Sequence, residues 1–153
     1  MPLNRALLGK EYPPFRYEVG REKLREFAES VGETDPVYHD EEAARAAGHP
    51  DIPAVPTFPV VLTIRVGQKV VADPELGLDY SRVVHGEQEF SYQRPIFAGD
   101  RLLAAGRVAA MEARGRHELL AIETKVTTEA GEPVCSALVT LIARGPARRE
   151  EPA

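Results

Sequence analysis

Apolar residues recur with two different periods, a helical one in the front half of the chain and an alternating one in the back half. In residues 21–31, "REKLREFAESV", the apolar side chains fall at helical spacing and the charged ones lie on the opposite face. Residues 40–48, "DEEAARAAG", carry acids in the first turn and end on a glycine, as a short helix does. The front half is therefore predicted to consist of helices and loops.

A proline-rich loop leads into residues 57–71, "TFPVVLTIRVGQKVV". Nearly every residue from Phe58 to Val66 is apolar, which favours a helix buried on most sides over a surface helix. Thr57 is positioned to cap this helix, and Pro59 is tolerated only in its first turn. Because Val, Thr and Ile also favour strands, a short buried strand is the alternative.

The back half is typical of β-strands. Alternation is clearest in residues 117–128, and the strands predicted at 81–95, 101–113 and 134–144 are separated by turn segments such as "FAGD" and "EAGEP". The last of them is apolar on both faces, which indicates a central strand. Three long strands joined by short turns predict an antiparallel meander. With the buried helix before it, the meander predicts an α+β domain whose sheet wraps around that helix.

Composition is compatible with one domain that needs no metal or disulfide to fold. The chain has 153 residues, of which 43% are apolar. It has a single cysteine, Cys135, in an apolar run, and we interpret it as a buried structural thiol. No Cys/His cluster has zinc-ligand spacing, and no flavin or nucleotide motif is present. We therefore expect no metal and no resident cofactor.

Charge and hydropathy exclude some partners. A net charge of −5 argues against a nucleic-acid backbone as the ligand. The N-terminus lacks the apolar core of a signal peptide, and no apolar run reaches the ~18 residues of a membrane span. We expect a cytoplasmic protein without a membrane anchor. Residues 145–153 are polar and proline-rich and are predicted to be a disordered tail, which leaves 1–144 as the domain.

The segment "QRPIFAGDRL", residues 93–102, predicts a specific turn. Gly99 permits a positive φ, Asp100 can accept backbone N–H bonds, and Pro95 ends ladder pairing. The segment resembles the R-P-x-x-x-G-D-x-L turn of MaoC-like hydratases and dehydratases. Those enzymes add or remove water across the 2,3-bond of acyl thioesters carried by coenzyme A or acyl carrier protein. The order of elements, from a short strand through small helices to a long helix and a meander, resembles their hotdog fold.

A second segment, "AESVGETDPVYH" at residues 28–39, resembles the (R)-specific hydratase motif A-x-x-x-G-D-x-N-P-[LIV]-H. In that family the Asp and His of the motif form the catalytic pair. Here Glu33 stands at the Asp position, Asp35 at the Asn position and Tyr38 at the His position, while His39 comes one place late.

The segments "DYSRVVHGEQEFSYQRPIFAGD" and "PAVPTF" extend the resemblance over residues 5–144. They are similar to the N-terminal MaoC dehydratase group, which includes the partner subunits of heterodimeric (3R)-hydroxyacyl-ACP dehydratases. The resemblance implies that the substrate is an acyl-CoA or acyl-ACP. It also implies that a second hotdog subunit pairs with this chain, either a catalytic MaoC chain or another copy.

The dehydration chemistry requires a base for the C2 proton, an acid for the C3 hydroxyl and an oxyanion donor for the thioester oxygen. Glu33 keeps a carboxylate but moves it by about an ångström, and such misplacement can cost ~10²-fold in rate. A phenol such as that of Tyr38 is a poor base at neutral pH. On an extended segment, His39 would be directed away from Glu33. We expect a vestigial catalytic pair, and a working variant of Glu33 or Asp35 with His39 is the alternative.

The resemblance also implies an acyl-binding tunnel along the central helix. Its expected lining residues are Phe58, Val60, Val61 and Ile64, although core packing explains each of them equally well. His85, with the following Gly86, is a further candidate for the thioester pocket or the interface. We favour the other interpretation of His85, a half-buried histidine bonded to the backbone.

Two other histidines, His49 and His117, are expected to be solvated.

The leading hypothesis is that this chain is the non-catalytic, acyl-binding subunit of an (R)-3-hydroxyacyl-thioester dehydratase. One alternative is a self-sufficient homodimeric hydratase. Another is an acyl-thioester-binding hotdog protein without catalysis.

Overall fold

Five strands form one antiparallel sheet in the computed structural model. The structure describes residues 2–145. The strands, in chain order, are β1 Glu11–Glu18, β2 Val83–Tyr92, β3 Arg101–Arg114, β4 His117–Thr128 and β5 Pro133–Ala143. The three α-helices are α1 Arg21–Ser30, α2 Glu41–Ala46 and α3 Val60–Val71. Except for Gly145, the predicted tail lies outside the described residues.

The spatial order of the strands is β1-β3-β4-β5-β2. Tight turns with positive-φ glycines, Gly115 and Gly131, connect β3 to β4 and β4 to β5 and form the predicted meander. Strand β5 lies between β4 and β2, which confirms the prediction of a central strand. The edges of the described sheet are β1 and β2, and this is the α+β arrangement predicted from the sequence.

Helix α3 packs across the sheet with one side only. Leu62, Val66 and Val70 point into the core, whereas Ile64 is 55% exposed. The prediction of a helix buried on most sides is therefore wrong for this chain by itself. The apolar run is long enough to supply the core face and also an exposed apolar stripe. The alternative of a buried strand is wrong as well.

The start of α3 also differs from the prediction. The helix begins at Val60 after Pro59, and no side chain caps it. Thr57 is exposed, and only its backbone carbonyl takes part, by accepting a 3.1 Å hydrogen bond from the Val60 N–H. Proline fixes the entry to the first turn without a capping hydroxyl, since its fixed φ is already suited to a helix.

The core faces of β3 and β4 pack against α3. Gly106 on β3 lies so close to α3 that a Cβ there would lie 2.1 Å from Cγ1 of Val66. Its cross-strand neighbour Thr124 is fully buried, and its hydroxyl has no hydrogen-bond partner among residues 2–145. Cys135 is buried as predicted, and burial raises the pKa of its thiol to about 11.

Two further observations concern residues 2–145 as a whole. Every helix in that range is too short or too polar to cross a lipid bilayer. The same residues bring together no set of three His, Cys, Asp or Glu side chains that could hold a metal ion.

The helix–sheet contact predicts the effect of a single methyl group. Gly106→Ala should lower the free energy of unfolding by about 1–3 kcal/mol, because the stiff side chain of Val66 cannot move aside freely. Urea unfolding of the two single variants and the double variant would measure this. The Gly106→Ala penalty should shrink by at least about 1 kcal/mol in a Val66→Ala background.

Gly67→Ala, in the interior of α3, is the matched control. No atom lies within 4 Å of a Cβ at Gly67, and alanine is the better helix former, so this change should be neutral or slightly stabilising. An equal penalty for Gly106→Ala with and without Val66 would show that the methyl group does not meet the helix.

Candidate functional site

The acids of the candidate catalytic turn are used to fold it. Asp35 precedes a 3-10 turn, Pro36–Tyr38, and its carboxylate accepts a 3.0 Å bond from the Val37 N–H. Oε1 of Glu33 accepts a 2.9 Å bond from the Asp35 N–H. Each of the two carboxylates therefore satisfies a backbone donor at the start of the turn, as short acidic side chains do in loops of this kind.

His39 folds back over the same turn. It has φ −123° and ψ −29° rather than an extended backbone, and its Nε2 lies 2.7 Å from the carbonyl oxygen of Glu33. A carbonyl oxygen only accepts hydrogen bonds, so Nε2 carries the proton in this contact. The expectation that His39 would be directed away from Glu33 is wrong. The ring meets the backbone of Glu33, and Arg25 donates to the His39 carbonyl at 2.7 Å.

Tyr38 is half-buried and lines an open cavity of about 370 Å³. The imidazole of His49 and the side chain of Tyr92 line the same cavity. His49 was expected to be solvated, but it is half-buried, and its ring centroid lies 5.7 Å from that of Phe97. The sequence does not reveal that His49 and Tyr38 line one cavity, because only the path of the proline-rich loop in the folded protein brings them to it.

The turn at residues 93–102 forms another wall of this cavity. Arg94 binds Asp100 through two nitrogens, at 2.8 and 3.1 Å, and Asp100 also accepts a 2.9 Å bond from the Phe97 N–H. Gly99 has φ +88°, and β2 ends three residues before Pro95. The structural predictions for Gly99, Asp100 and Pro95 are confirmed. The missed element was Arg94, which closes the turn by a bidentate ion pair.

A salt bridge fixes the proline-rich loop against helix α1. Arg21 donates to both carboxylate oxygens of Asp51, at 3.1 and 2.7 Å, and the Ile52 N–H donates to Asp51 at 2.7 Å. The hydrogen bond from Arg21 is the main cause that lowers the pKa of Asp51 to about 2. This pair therefore holds the segment that carries His49 in position.

A second open cavity, about 420 Å³, lies between the exposed stripe of α3 and strands β2 and β5; we call it the helix groove. Its lining residues are Val60, Thr63, Ile64, Gly67, Gln68, Val71, Tyr80, Val83, His85, Gln88, Val139 and Leu141. Most of these side chains are apolar. The groove is bordered by the unpaired edge of β2 in the described sheet.

His85 lines the helix groove and is exposed, and its imidazole forms no hydrogen bond with any residue from 2 to 145. The interpretation of His85 as half-buried and backbone-bonded is therefore wrong. Gly86 lies at an irregularity in β2, where a Cβ would lie 2.9 Å from Cδ1 of Ile142. Gly86 has a packing role and does not line the groove.

The four predicted tunnel residues divide into two pairs. Val60 and Ile64 line the helix groove. Phe58 is fully buried and packs edge-on against Phe27 at 5.4 Å, and Val61 packs against the core. The binding roles of all four residues stay predictions.

Comparison with known families accounts for this combination of turn, helix and sheet. Residues 6–137 match the family model described as FAS1-like, dehydratase domain region. The chain belongs to this dehydratase family. A UPF0336 protein from Saccharopolyspora erythraea is 53% identical to it over 152 residues, which is 99% of this chain and 97% of the relative.

Solved structures identify the fold. The C-terminally truncated HadBC (3R-hydroxyacyl-ACP dehydratase) complex from Mycobacterium tuberculosis matches with a TM-score of 0.80 and 30% identity, over 89% of this chain and 96% of the matched chain. A MaoC-like dehydratase matches with a TM-score of 0.84 and 27% identity, over 92% of this chain and 43% of that chain. This FAS1-like dehydratase family member is thus a hotdog protein of the MaoC-like hydratase and dehydratase type.

The Arg21–Asp51 pair predicts a pH-dependent contribution to stability. A carboxyl whose pKa is lowered by folding stabilises the protein above its unfolded pKa of about 3.9, and this stabilisation is lost as the pH falls towards about 2. The difference in unfolding free energy between wild type and Arg21→Gln should therefore be largest at pH 5 and decrease towards pH 2. Urea unfolding at a series of pH values would measure it.

Asp51→Asn should reproduce that profile, because it removes the titrating group. Arg16→Gln is the control, since the Arg16–Glu129 pair is exposed and 3.7 Å apart. A difference for Arg21→Gln that stays constant from pH 5 to pH 2 would contradict the assignment.

Proposed function

We propose that this chain is the acyl-binding, non-catalytic subunit of an (R)-3-hydroxyacyl-thioester dehydratase built from two hotdog subunits. The observation that carries this proposal is the 2.7 Å contact between Nε2 of His39 and the Glu33 carbonyl. The contact directs the Nε2–H edge of the ring to the backbone of its own turn, so only the Nδ1 lone pair is left for any proton transfer.

The other groups of the turn also lack the arrangement that the reaction requires. A general base must reach the C2 proton with a free lone pair, and its partner must reach the departing hydroxyl. One oxygen of Glu33 accepts from Asp35, and a phenol stands at position 38, where the family has its catalytic histidine. Proton transfer would then come from the Asp and His of a partner hotdog subunit.

The helix groove supports the acyl-binding role. Helix α3 has 12 residues, about 18 Å of length, and its exposed stripe presents an apolar wall to the groove. Each methylene buried there would contribute ~0.8 kcal/mol to binding. The thioester would be carried by CoA or acyl carrier protein.

The edge of β2 supports pairing with a second subunit. An edge strand presents unpaired backbone groups that favour association with another strand. The solved HadBC neighbour is a complex of dehydratase subunits, and the MaoC-like dehydratase has more than half of its length outside the match. Both observations are consistent with two hotdog units acting together.

The test is hydration of trans-2-enoyl-CoA substrates, followed by the absorbance of the enoyl thioester. The pure chain should show no turnover above the background. Activity should appear when a MaoC-like subunit that carries the Asp and His pair is added. In that complex Tyr38→Phe and His39→Ala should change kcat less than about threefold, since a catalytic acid or base contributes ~10²–10⁴-fold.

Ile64→Ala tests the groove in the same assay. It should raise KM for long acyl chains roughly 10- to 60-fold, by removing roughly 1.5–2.4 kcal/mol of apolar contact, and leave crotonyl-CoA almost unaffected. Ala105→Gly, an exposed change on β3 outside the groove, is a control for nonspecific effects. Turnover by the chain alone that is abolished by His39→Ala would overturn the non-catalytic role.

A self-sufficient hydratase is the second candidate, and His49 favours it. Its imidazole lines the cavity that Tyr38 lines, so a general acid or base lies near the family's histidine position. Turnover by the chain alone that is lost in His49→Ala but kept in His39→Ala would establish this candidate.

A further inference from the structure

Three arginines converge at one corner of this acidic protein. Arg82 precedes β2, Arg116 lies in the turn between β3 and β4, and Arg144 follows β5. All three line two adjoining cavities of about 330 and 260 Å³, and His117 lines the smaller cavity. We call Arg82, Arg116 and Arg144 with these cavities the basic corner.

Backbone contacts build the corner. The Arg144 N–H donates to the Arg82 carbonyl at 3.0 Å, and the Gly145 N–H donates to Nδ1 of His117 at 3.2 Å. A Cβ at Gly145 would lie 2.0 Å from the carbonyl oxygen of Arg116, so only glycine permits this approach. His117 was expected to be solvated, but it is half-buried and takes part in holding these segments together.

The nearby acids offset only part of the charge of the corner. Glu118 and Asp79 line the larger cavity, but Glu118 pairs with Arg5, so Asp79, whose charge acts on Arg82, opposes two arginines, Arg82 and Arg144. Within residues 2–145, neither Arg82 nor Arg144 forms an ion pair. Guanidinium groups bind phosphate oxygens with paired, charge-assisted hydrogen bonds, so the corner has the chemistry of a phosphate site.

The corner adjoins the helix groove through one short turn. Residues Tyr80–Arg82 form a 3-10 turn in which Tyr80 lines the apolar groove and Arg82 lines both basic cavities. An acyl thioester on a phosphopantetheine arm has the same two parts, an apolar tail and a phosphate. One ligand of this kind can therefore engage both features.

Pairing of two subunits would place the basic corner close to the catalytic turn of the partner. If two equivalent β2 strands pair about a two-fold axis perpendicular to the sheet, they run antiparallel. The Val83 end of β2 then lies beside the partner strand's end that corresponds to Tyr92. In this chain, Tyr92 lines the cavity of Tyr38, the family's histidine position. The basic corner thus lies on the side of the partner's catalytic turn.

We infer that the basic corner binds the phosphate of the phosphopantetheine arm that carries the acyl thioester. The inference deepens the proposed function and depends on it for the identity of the ligand. The phosphate comes from CoA or from a carrier protein, and both sources present the same pantetheine phosphate.

Binding to the full chain by calorimetry tests the inference with three probes: octanoyl-CoA, octanoyl carrier protein and the phosphate-free octanoyl-pantetheine. The double variant Arg82→Gln/Arg144→Gln should weaken binding of at least one phosphorylated probe by about tenfold or more, as expected for lost charge-assisted hydrogen bonds. It should leave octanoyl-pantetheine unchanged. Arg16→Gln/Arg101→Gln, an equal charge change on exposed arginines, should have little effect on any probe.

The outcomes separate the two proposals. If the Arg82→Gln/Arg144→Gln variant binds only one of the two phosphorylated probes more weakly, that probe identifies the source of the phosphate. Unchanged binding of both phosphorylated probes to the corner variant, or equal losses in the control variant, overturns the phosphate site while octanoyl-pantetheine binding still supports the acyl-binding role. Failure of octanoyl-pantetheine to bind, with arginine-dependent binding of octanoyl-CoA, supports the phosphate site and contradicts the acyl groove.

Discussion

Helix α3 approaches the sheet so closely at Gly106 that a methyl group has no space there. This contact sets the rotation of the helix: Val66 points to the sheet, and Ile64 on the other side stays in solvent. The helix groove is a consequence, because the sheet continues past the helix to β2 and leaves a space between them. Core packing thus determines which apolar residues remain available for a ligand or a partner.

In the candidate catalytic turn, acids and a histidine of the types used in acid–base catalysis form hydrogen bonds that stabilise the loop. Glu33 and Asp35 satisfy backbone donors, and His39 donates to a carbonyl. Each contact keeps the turn compact and fixes the orientation of its side chain. One oxygen of each carboxylate and Nε2 of His39 are engaged in the turn, while Nδ1 of His39 keeps its lone pair.

The sequence predicted the features that depend on local pattern. The meander, the glycine turn at Gly99 and the buried Cys135 follow from alternation, turn chemistry and apolar surroundings. It could not predict that Ile64 would be exposed, because nearly every residue from 58 to 66 is apolar. The His39 ring and the approach of His49 to Tyr38 depend on loop geometry, to which hydrophobic periodicity is not sensitive. The basic corner joins positions far apart in the chain.

Edge strand, groove and basic corner are not independent features. Strand β2 borders the helix groove, and the turn that precedes β2 contributes both Tyr80 to the groove and Arg82 to the corner. A partner strand added to β2 would therefore border the helix groove as well as extend the sheet. Any change that shifts β2 should alter subunit pairing and ligand binding together, so the two properties are physically coupled through one strand. Under the proposed function, this coupling would let a subunit that supplies no acid–base pair influence which thioesters the paired enzyme accepts.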